Sequence, residues 1–178
     1  MAEGRKIVIY CSASNDIDPE FNQAAREATR AACSLGYGIV SGGTVKGTMK
    51  VVADEVVACG GHHIGVLPRF MADVVYPSLD ETLWTETMAE RKDRMLEGTS
   101  AALALPGGIG TLDELISTMT LAKLGKYSGK VIAFNVNGFF KPLIDLLDHY
   151  VATGMLDNAS RQLISFPSNV EELSGLLK

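Results

Sequence analysis

The sequence predicts an α/β protein: a single doubly wound, Rossmann-like domain with a mainly parallel sheet and helices on both faces. Short apolar runs alternate along the chain with longer segments of helical period. Strands buried on both faces are continuous apolar runs, and helices connect them in βα units. The predicted helices also end at glycines, such as Gly36 and Gly98, which is typical of helix termination. A chain of 178 residues, 47% hydrophobic, fits one domain, residues 1–178.

The individual elements follow from these patterns. The predicted strands cover residues 6–11, 38–41, 63–67, 101–105 and 130–135. The predicted helices cover residues 19–35, 47–59, 85–97, 111–124, 140–152 and 169–177. Residues 68–85 have little period and are predicted to form a surface loop that is functional or faces a partner. In such a sheet, ligands bind at the carboxyl ends of the strands, near a reversal of strand order.

Composition excludes several classes of function. The chain has 16 basic and 21 acidic residues, a net charge of −5, and no Lys/Arg run, so we expect no nucleic-acid partner. Its apolar stretches are far shorter than the roughly 20 residues of a membrane helix, so we expect no membrane partner. The first residues show no signal-peptide pattern, and a cytoplasmic location is predicted.

Neither cysteine nor histidine spacing indicates a metal site. Cys11, Cys33 and Cys59 are odd in number, lack C-x-x-C spacing and lie in apolar surroundings, so we expect buried free thiols. The three histidines form no pair on one helix face. We therefore expect no metal.

Two glycine-rich turns follow predicted strands, at residues 41–47 and 106–111. Glycines let a backbone approach a ligand closely, and the helix that follows offers unpaired N–H groups and a positive dipole end, which suits phosphate. One such turn is weak evidence, since tight βα turns also use glycine for geometry alone. Two at the same sheet edge favour a phosphate-binding site.

The common nucleotide-binding motifs are absent from the sequence. The turn after the first strand, residues 11–15, lacks G-x-G-x-x-G, and no acidic residue follows at the usual distance, which argues against a dinucleotide cofactor. In the first glycine turn, Gly47 is followed by Thr48 rather than by the Lys of a Walker motif, which argues against that motif. A bound nucleotide must be held differently.

The second glycine turn leads into Thr111 and, three residues later, Glu114. This spacing fits a capping box, in which Glu114 reaches back to the Thr111 backbone N–H. It also fits a functional carboxylate that points into the crevice beside the phosphate-binding backbone. Glu114 cannot fully do both.

The predicted helix 85–97 carries a basic pair between methionines. Helical spacing puts Met88, Arg91, Lys92 and Met95 on one side. That side is either a solvated charged face or, as the methionines indicate, a buried face. If it is buried, Arg91 and Lys92 need an anionic partner such as phosphate or Glu114.

These segments carry a resemblance to a known family. Residues 106–114, PGGIGTLDE, resemble the P-G-G-x-G-T-x-x-E motif of the LONELY GUY family of cytokinin riboside 5′-monophosphate phosphoribohydrolases. Residues 88–95 resemble its companion M-H-x-R-K-x-x-M, and the similarity runs from the first strand to about residue 137. The resemblance implies that Arg91 and Glu114 form the catalytic pair. The predicted substrate-binding residues are Gly42, Gly43, Met88, Lys92, Gly107, Gly108, Ile109, Gly110, Thr111, Leu112, Asp113 and Thr120.

Four positions depart from the family pattern. Ala89 stands where the family usually has His, and Thr44 stands where the first turn usually has a third glycine. Thr48 and Lys50 stand where the family usually has Leu and Gly. These departures concern base preference and the shape of the first turn, and they leave Arg91 and Glu114 untouched.

The resemblance implies hydrolysis of the N-glycosidic bond of a purine nucleoside 5′-monophosphate, without a cofactor, by a homodimer. Cleavage builds positive charge on the ribose, which a carboxylate stabilises. The substrate that the resemblance implies is AMP or an N6-prenylated derivative. The alternative is a non-catalytic nucleotide-binding or carrier domain of the same fold. A third label for such proteins, lysine decarboxylase, implies a pyridoxal phosphate Schiff base, and no lysine has a context that favours one.

Overall fold

A seven-stranded parallel sheet forms the centre of the computed structural model, which describes residues 4–178. The strands are β1 Lys6–Tyr10, β2 Gly38–Ser41, β3 His63–Pro68, β4 Glu81–Thr85, β5 Thr99–Ala104, β6 Lys130–Ala133 and β7 Ile164–Ser165. Their order is β4-β3-β2-β1-β5-β6-β7, and every pairing is parallel. Strand order therefore reverses between β1, the central strand, and its neighbour β5.

Helices cover both faces of this sheet. They are α1 Pro19–Ser34, α2 Gly47–Ala58, α3 Met88–Leu96, α4 Ile109–Lys123, α5 Lys141–Ala152, α6 Asn158–Arg161 and α7 Val170–Leu177. Two short 3-10 segments, Arg69–Val74 and Val136–Gly138, complete the connections. The predicted fold class is confirmed.

Alternate side chains along the strands pack into two separate hydrophobic cores, one on each face of the sheet. In β1, Ile7 and Ile9 pack against α1, α2 and α7, while Val8 and Tyr10 pack on the opposite face with α3, α4 and α5. This follows from the period of two in a strand, which sends successive side chains to opposite faces. Both faces are buried, which explains why the central strands are continuous apolar runs.

The predicted loop at 68–85 is wrong. It contains the 3-10 segment Arg69–Val74 and the edge strand β4, which pairs with β3 along its whole length. β4 is half open to solvent, with Leu83 and Trp84 each 37% exposed, so its sequence lacks the apolar run of a central strand. For the same reason, the predicted helix 85–97 begins too early. α3 begins at Met88, where the Thr87 side chain accepts a hydrogen bond from the Glu90 backbone N–H.

The prediction of three buried thiols is correct for one. All three cysteines are free, but only Cys11 is buried, whereas Cys33 is half-buried and Cys59 is exposed. Cys59 is the C-cap of α2. At this helix end, apolar neighbours in the sequence do not shield the side chain from solvent. Within residues 4–178 no helix is long and apolar enough to cross a membrane. A cytoplasmic location and a single domain stay predictions.

Candidate active site

A cleft opens where the carboxyl ends of β1 and β2 meet the start of α4. It lies at the reversal of strand order, as expected for an open parallel sheet. Its volume is about 370 Å³. It is lined by Ile9, Tyr10, Cys11, Ser12, Ala13, Ser14, Gly42, Met49, Met71, Met88, Arg91, Met95, Gly108, Ile109, Gly110, Thr111 and Glu114.

The second glycine turn shapes one wall of this cleft. α4 begins at Ile109 with Gly108 as its N-cap, and no side chain caps it. The first N–H groups of a helix have no carbonyl partner within the helix, so this end of α4 favours an anion. Thr111 lies inside the helix, with its hydroxyl packed against Gly107 where any Cβ would collide with it. The capping-box interpretation of Thr111 and Glu114 is therefore wrong.

Glu114 instead forms an ion pair with Arg91. Arg91 Nη1 donates to Glu114 Oε1 at 3.1 Å, which joins α3 to α4 across the cleft floor. The two side chains are 8% and 13% exposed, so solvent screens the pair little. Arg91 thus has the anionic partner that its position between the methionines required.

Two further contacts orient the Arg91 guanidinium. Its Nε donates to the carbonyl oxygen of Val66, in β3, at 2.9 Å. Its Nη2 lies over Gly42 in the first glycine turn, where a Cβ would come within 2.5 Å of it. Gly42 therefore lacks a side chain because the guanidinium and Met49 occupy that space. The first glycine turn therefore makes room for the Arg91 guanidinium as well as for a ligand.

Burial dominates the electrostatics of the cleft. It raises the pKa of Glu114 above the ordinary value for a glutamate, and the Arg91 cation opposes this shift. Burial likewise raises the pKa of Cys11 and of Tyr10, and the Glu114 charge adds to both shifts. A carboxylate that is poorly hydrated yet paired with a fixed cation is typical of functional sites.

The predicted binding residues divide between this cleft and a neighbouring groove. Gly42, Met88, Gly108, Ile109, Gly110 and Thr111 line the cleft. A groove of about 560 Å³ between α3 and α4, which we call the α3/α4 groove, is lined by Lys92, Leu112, Asp113 and Thr120, and it shares Tyr10, Ile109 and Glu114 with the cleft. Gly43 and Gly107 line neither. Gly43 instead permits close packing on Gly65 and Leu67 of β3, and Gly107 permits close packing on Thr111.

The basic pair of α3 is split by this arrangement. Lys92 lies in the α3/α4 groove, where its Nζ binds both Asp113 carboxylate oxygens at 3.1 and 3.2 Å and Ser117 Oγ at 3.3 Å. Within α3, Met95 is buried, but Met88 is 47% exposed. The predicted buried side of α3 is therefore correct for Arg91 and Met95 only.

Several cleft residues were missed by the sequence analysis. Residues 9–14, at the end of β1, line the cleft, and so do Met49 and Met71. The rule that ligands bind beside a reversal of strand order pointed to the β1 end, once β1 was placed at the centre. The functional or partner-facing role predicted for residues 68–85 did not single out Met71, because its 3-10 segment lay in the predicted loop.

Comparison with known proteins identifies the family. The family model described as "Possible lysine decarboxylase" matches residues 49–177. The cytokinin riboside 5′-monophosphate phosphoribohydrolase LOG of Oryza sativa subsp. japonica is 34% identical over 167 residues, which cover 92% of this chain and 69% of that protein. The chain belongs to the LONELY GUY family. Another member, LOG2 of Arabidopsis thaliana, is 30% identical over 176 residues, covering 98% of this chain and 83% of LOG2.

Solved structures with the fold of this LONELY GUY protein include molybdenum cofactor proteins. The molybdenum cofactor binding protein from Rippkaea orientalis has a TM-score of 0.73 and 21% identity, covering 97% of this chain and 95% of that one. The molybdenum cofactor carrier protein from Chlamydomonas reinhardtii has a TM-score of 0.73 and 18% identity, with the same coverage. At these identities the similarity shows the fold alone.

Proposed function

We propose that the protein hydrolyses the N-glycosidic bond of a purine nucleoside 5′-monophosphate, releasing the free base and ribose 5-phosphate. The observation that carries this proposal is the buried pair of Arg91 and Glu114, 3.1 Å apart, beside the uncapped start of α4. The names of the relatives, cytokinin riboside 5′-monophosphate phosphoribohydrolases, support the substrate class.

The 5′-phosphate would bind at the start of α4. The backbone N–H groups of residues 109–111 are free of helical partners there, and glycines 108 and 110 leave them open to a ligand. A phosphate held at this end places the ribose over the cleft floor, where Glu114 lies. Binding energy from the phosphate would then fix the position of the bond to be broken.

Glu114 and Arg91 would carry the chemistry. As the bond from ribose C1′ to the base nitrogen breaks, positive charge builds on the sugar, and the Glu114 carboxylate stabilises it. The same carboxylate orients or deprotonates the attacking water. Arg91 holds Glu114 in place, since three of its contacts fix its orientation before any substrate arrives.

The pyridoxal phosphate chemistry implied by the family label does not fit the cleft. A Schiff base requires a lysine side chain in the cavity. Among the described residues that line the cleft, none is a lysine. The nearest basic neighbour of Arg91 in the sequence, Lys92, is bound to Asp113 and Ser117 in the α3/α4 groove.

The test is base release from two nucleotides. Purified protein is incubated with AMP and with isopentenyladenosine monophosphate, and free base is measured by chromatography. We expect Glu114→Gln and Arg91→Ala each to lower the rate by ~10² to 10³, about 2.7 to 4 kcal/mol. Glu171→Gln, the same change at an exposed residue of α7, is the matched control and should keep the wild-type rate.

The outcomes separate the two candidate functions. A rate within tenfold of wild type in Glu114→Gln or Arg91→Ala would contradict the mechanism. Tight AMP binding without base release would favour the nucleotide-binding or carrier protein instead. The ratio of the two rates shows whether the substrate is AMP or the N6-prenylated nucleotide.

We also infer that the protein is a homodimer through α3 and α4. Ile109 is 84% exposed, and Leu112 and Ile116 on the same helix are 38% and 36% exposed, which leaves an apolar strip along the α3/α4 groove. Burying such a strip is a common reason for association. Light scattering should give the mass of two chains. Ile116→Asp should weaken the dimer and lower the measured mass. A stable monomer at micromolar concentration would contradict the inference.

A further inference from the structure

A buried pair of hydroxyl groups joins the end of β1 to α4. The Tyr10 hydroxyl lies 2.9 Å from Thr118 Oγ1, although the two residues are 108 positions apart in the chain. Tyr10 is 3% exposed and Thr118 is 0% exposed. Phenylalanine and valine would fill the same space without a polar atom, and burying a hydroxyl costs free energy unless it is hydrogen-bonded. Packing of the core alone therefore does not require this pair.

The direction of each hydrogen bond in this pair can be assigned. Thr118 Oγ1 lies 2.8 Å from the carbonyl oxygen of Glu114, which can only accept, so Thr118 donates its single hydroxyl hydrogen there. The Tyr10 hydroxyl must therefore donate to Thr118 Oγ1. These two hydrogen bonds, which we call the hydroxyl chain, run from β1 through Thr118 to the backbone of Glu114. Because burial raises the pKa of Tyr10 and its hydrogen is already donated, Tyr10 is not a proton donor to the leaving base.

The beginning of α4 depends on contacts with the rest of the protein. No side chain caps this helix, and Gly108 and Gly110 lie at its N-terminus. A glycine within a helix costs about 0.5–1 kcal/mol relative to alanine, because it loses more backbone freedom on folding. Glu114 lies in the next turn, and both Tyr10 and Glu114 line the cleft and the α3/α4 groove. The hydroxyl chain is thus a directional contact at the turn that carries the proposed catalytic carboxylate.

We propose that Tyr10 and Thr118 are positioning residues, which hold the backbone of Glu114 so that its carboxylate stays in its ion pair. This inference rests on the proposed function, because the position of the carboxylate affects turnover only if Glu114 acts on the ribose. Tyr10 is a firm anchor, since it pairs with Ala104 of β5 and belongs to the central strand of the sheet. Glu114 is thereby held at two points, its carboxylate by Arg91 and its carbonyl through the hydroxyl chain.

Four variants separate the hydroxyl chain from packing. Tyr10→Phe and Thr118→Val each remove one hydroxyl and nearly keep the size of the side chain. Thr118→Ser keeps the hydroxyl and removes a methyl group. Tyr37→Phe is the matched control, because Tyr37 is buried in the core on the other face of the sheet. Its hydroxyl donates to the Leu177 carbonyl at 2.9 Å, so this variant also loses one buried hydrogen bond.

The first readout is steady-state base release from AMP, which gives kcat and KM. We expect Tyr10→Phe and Thr118→Val to lower kcat about tenfold at nearly constant KM, since a misplacement of about 1 Å costs about 10²-fold and this one is smaller. Thr118→Ser and Tyr37→Phe should keep a kcat near that of wild type. The melting temperature should fall in both Tyr→Phe variants, because each loses a buried hydrogen bond.

The second readout does not depend on turnover. The Glu114 carboxyl is titrated by NMR in protein with isotope-labelled glutamate, and its signal is assigned with Glu114→Gln. Burial raises the pKa of this carboxyl, Arg91 and Lys92 lower it, and Asp113 raises it. A looser contact with Arg91 weakens the strongest effect that opposes burial. The pKa of Glu114 should therefore rise by about 0.5 in the two variants that break the hydroxyl chain, and stay unchanged in the other two.

Three results would overturn the proposal. The first is an unchanged or lowered Glu114 pKa in Tyr10→Phe and Thr118→Val, and the second is a wild-type kcat in both. The third is an equal loss of kcat in Thr118→Ser or Tyr37→Phe, which would assign the effect to packing or to general stability. If one hydroxyl-chain variant does not fold, the other decides. If wild type releases no base, the hydrolase proposal fails, and the NMR titration alone decides whether the hydroxyl chain holds Glu114.

Discussion

Replacing Gly42 by alanine tests whether the position of Arg91 limits the reaction. A Cβ at Gly42 would lie 2.5 Å from Arg91 Nη2 and 2.6 Å from Met49 Sδ, whereas ordinary contact starts at 3.4 Å. Met49 has a flexible side chain and can turn away. The guanidinium is held by Val66 and Glu114, so it must shift by about 1 Å or lose one of these bonds.

A displacement of this size is costly for a catalytic group. A misplacement of about 1 Å lowers a rate by about 10²-fold, and we expect that loss of base release in Gly42→Ala. The measurement is steady-state base release from AMP, with the melting temperature taken alongside. Gly175→Ala is the matched control, because its Cβ meets nothing within 4 Å, and α7 lies away from the cleft. A folded Gly42→Ala protein with a rate within threefold of wild type would refute the reasoning.

Two other predictions concern pH and the core. Since burial raises the pKa of Glu114, its ionised fraction falls as the pH drops through that raised value, so half-maximal base release should lie above pH 4.5, the ordinary glutamate pKa. A pH–rate profile measures this, and the same acid limb in the residual activity of Glu114→Gln would contradict it. Leu103→Ala, in the fully buried centre of β5, should lower the free energy of unfolding in urea by about 2–5 kcal/mol, and a loss below about 1 kcal/mol would contradict the assigned packing.

The central strands could be predicted from the sequence and the edge strands could not. β1 and β5 are buried on both faces, so their apolar runs are unambiguous. β4 has two adjacent apolar residues, both partly exposed, between polar ones, and β7 has two residues in all, so neither has an apolar run of useful length. The start of α4 was misplaced because its N-cap is Gly108, which offers no side chain to recognise.

The site could be predicted in part. Spacing alone placed Arg91 between methionines and left Glu114 with two possible partners. The choice between them needed the distance from α3 to α4, which depends on how β4 and β5 lie in the sheet. Lys92, next to Arg91 in the sequence, turns into a different cavity because adjacent helical residues point about 100° apart.

The hydrogen bond from Arg91 to the Val66 carbonyl separates the position of Arg91 from local opening at the edge of the sheet. Edge strands exchange their amide hydrogens first, and β4, which pairs with β3 alone, is such a strand. α3 follows β4 along the chain, so fraying of this edge would carry Arg91 away if the chain were its only attachment. The guanidinium is instead held by β3, one strand further in. Amide exchange in β4 can therefore be fast while the cleft keeps its cation in place.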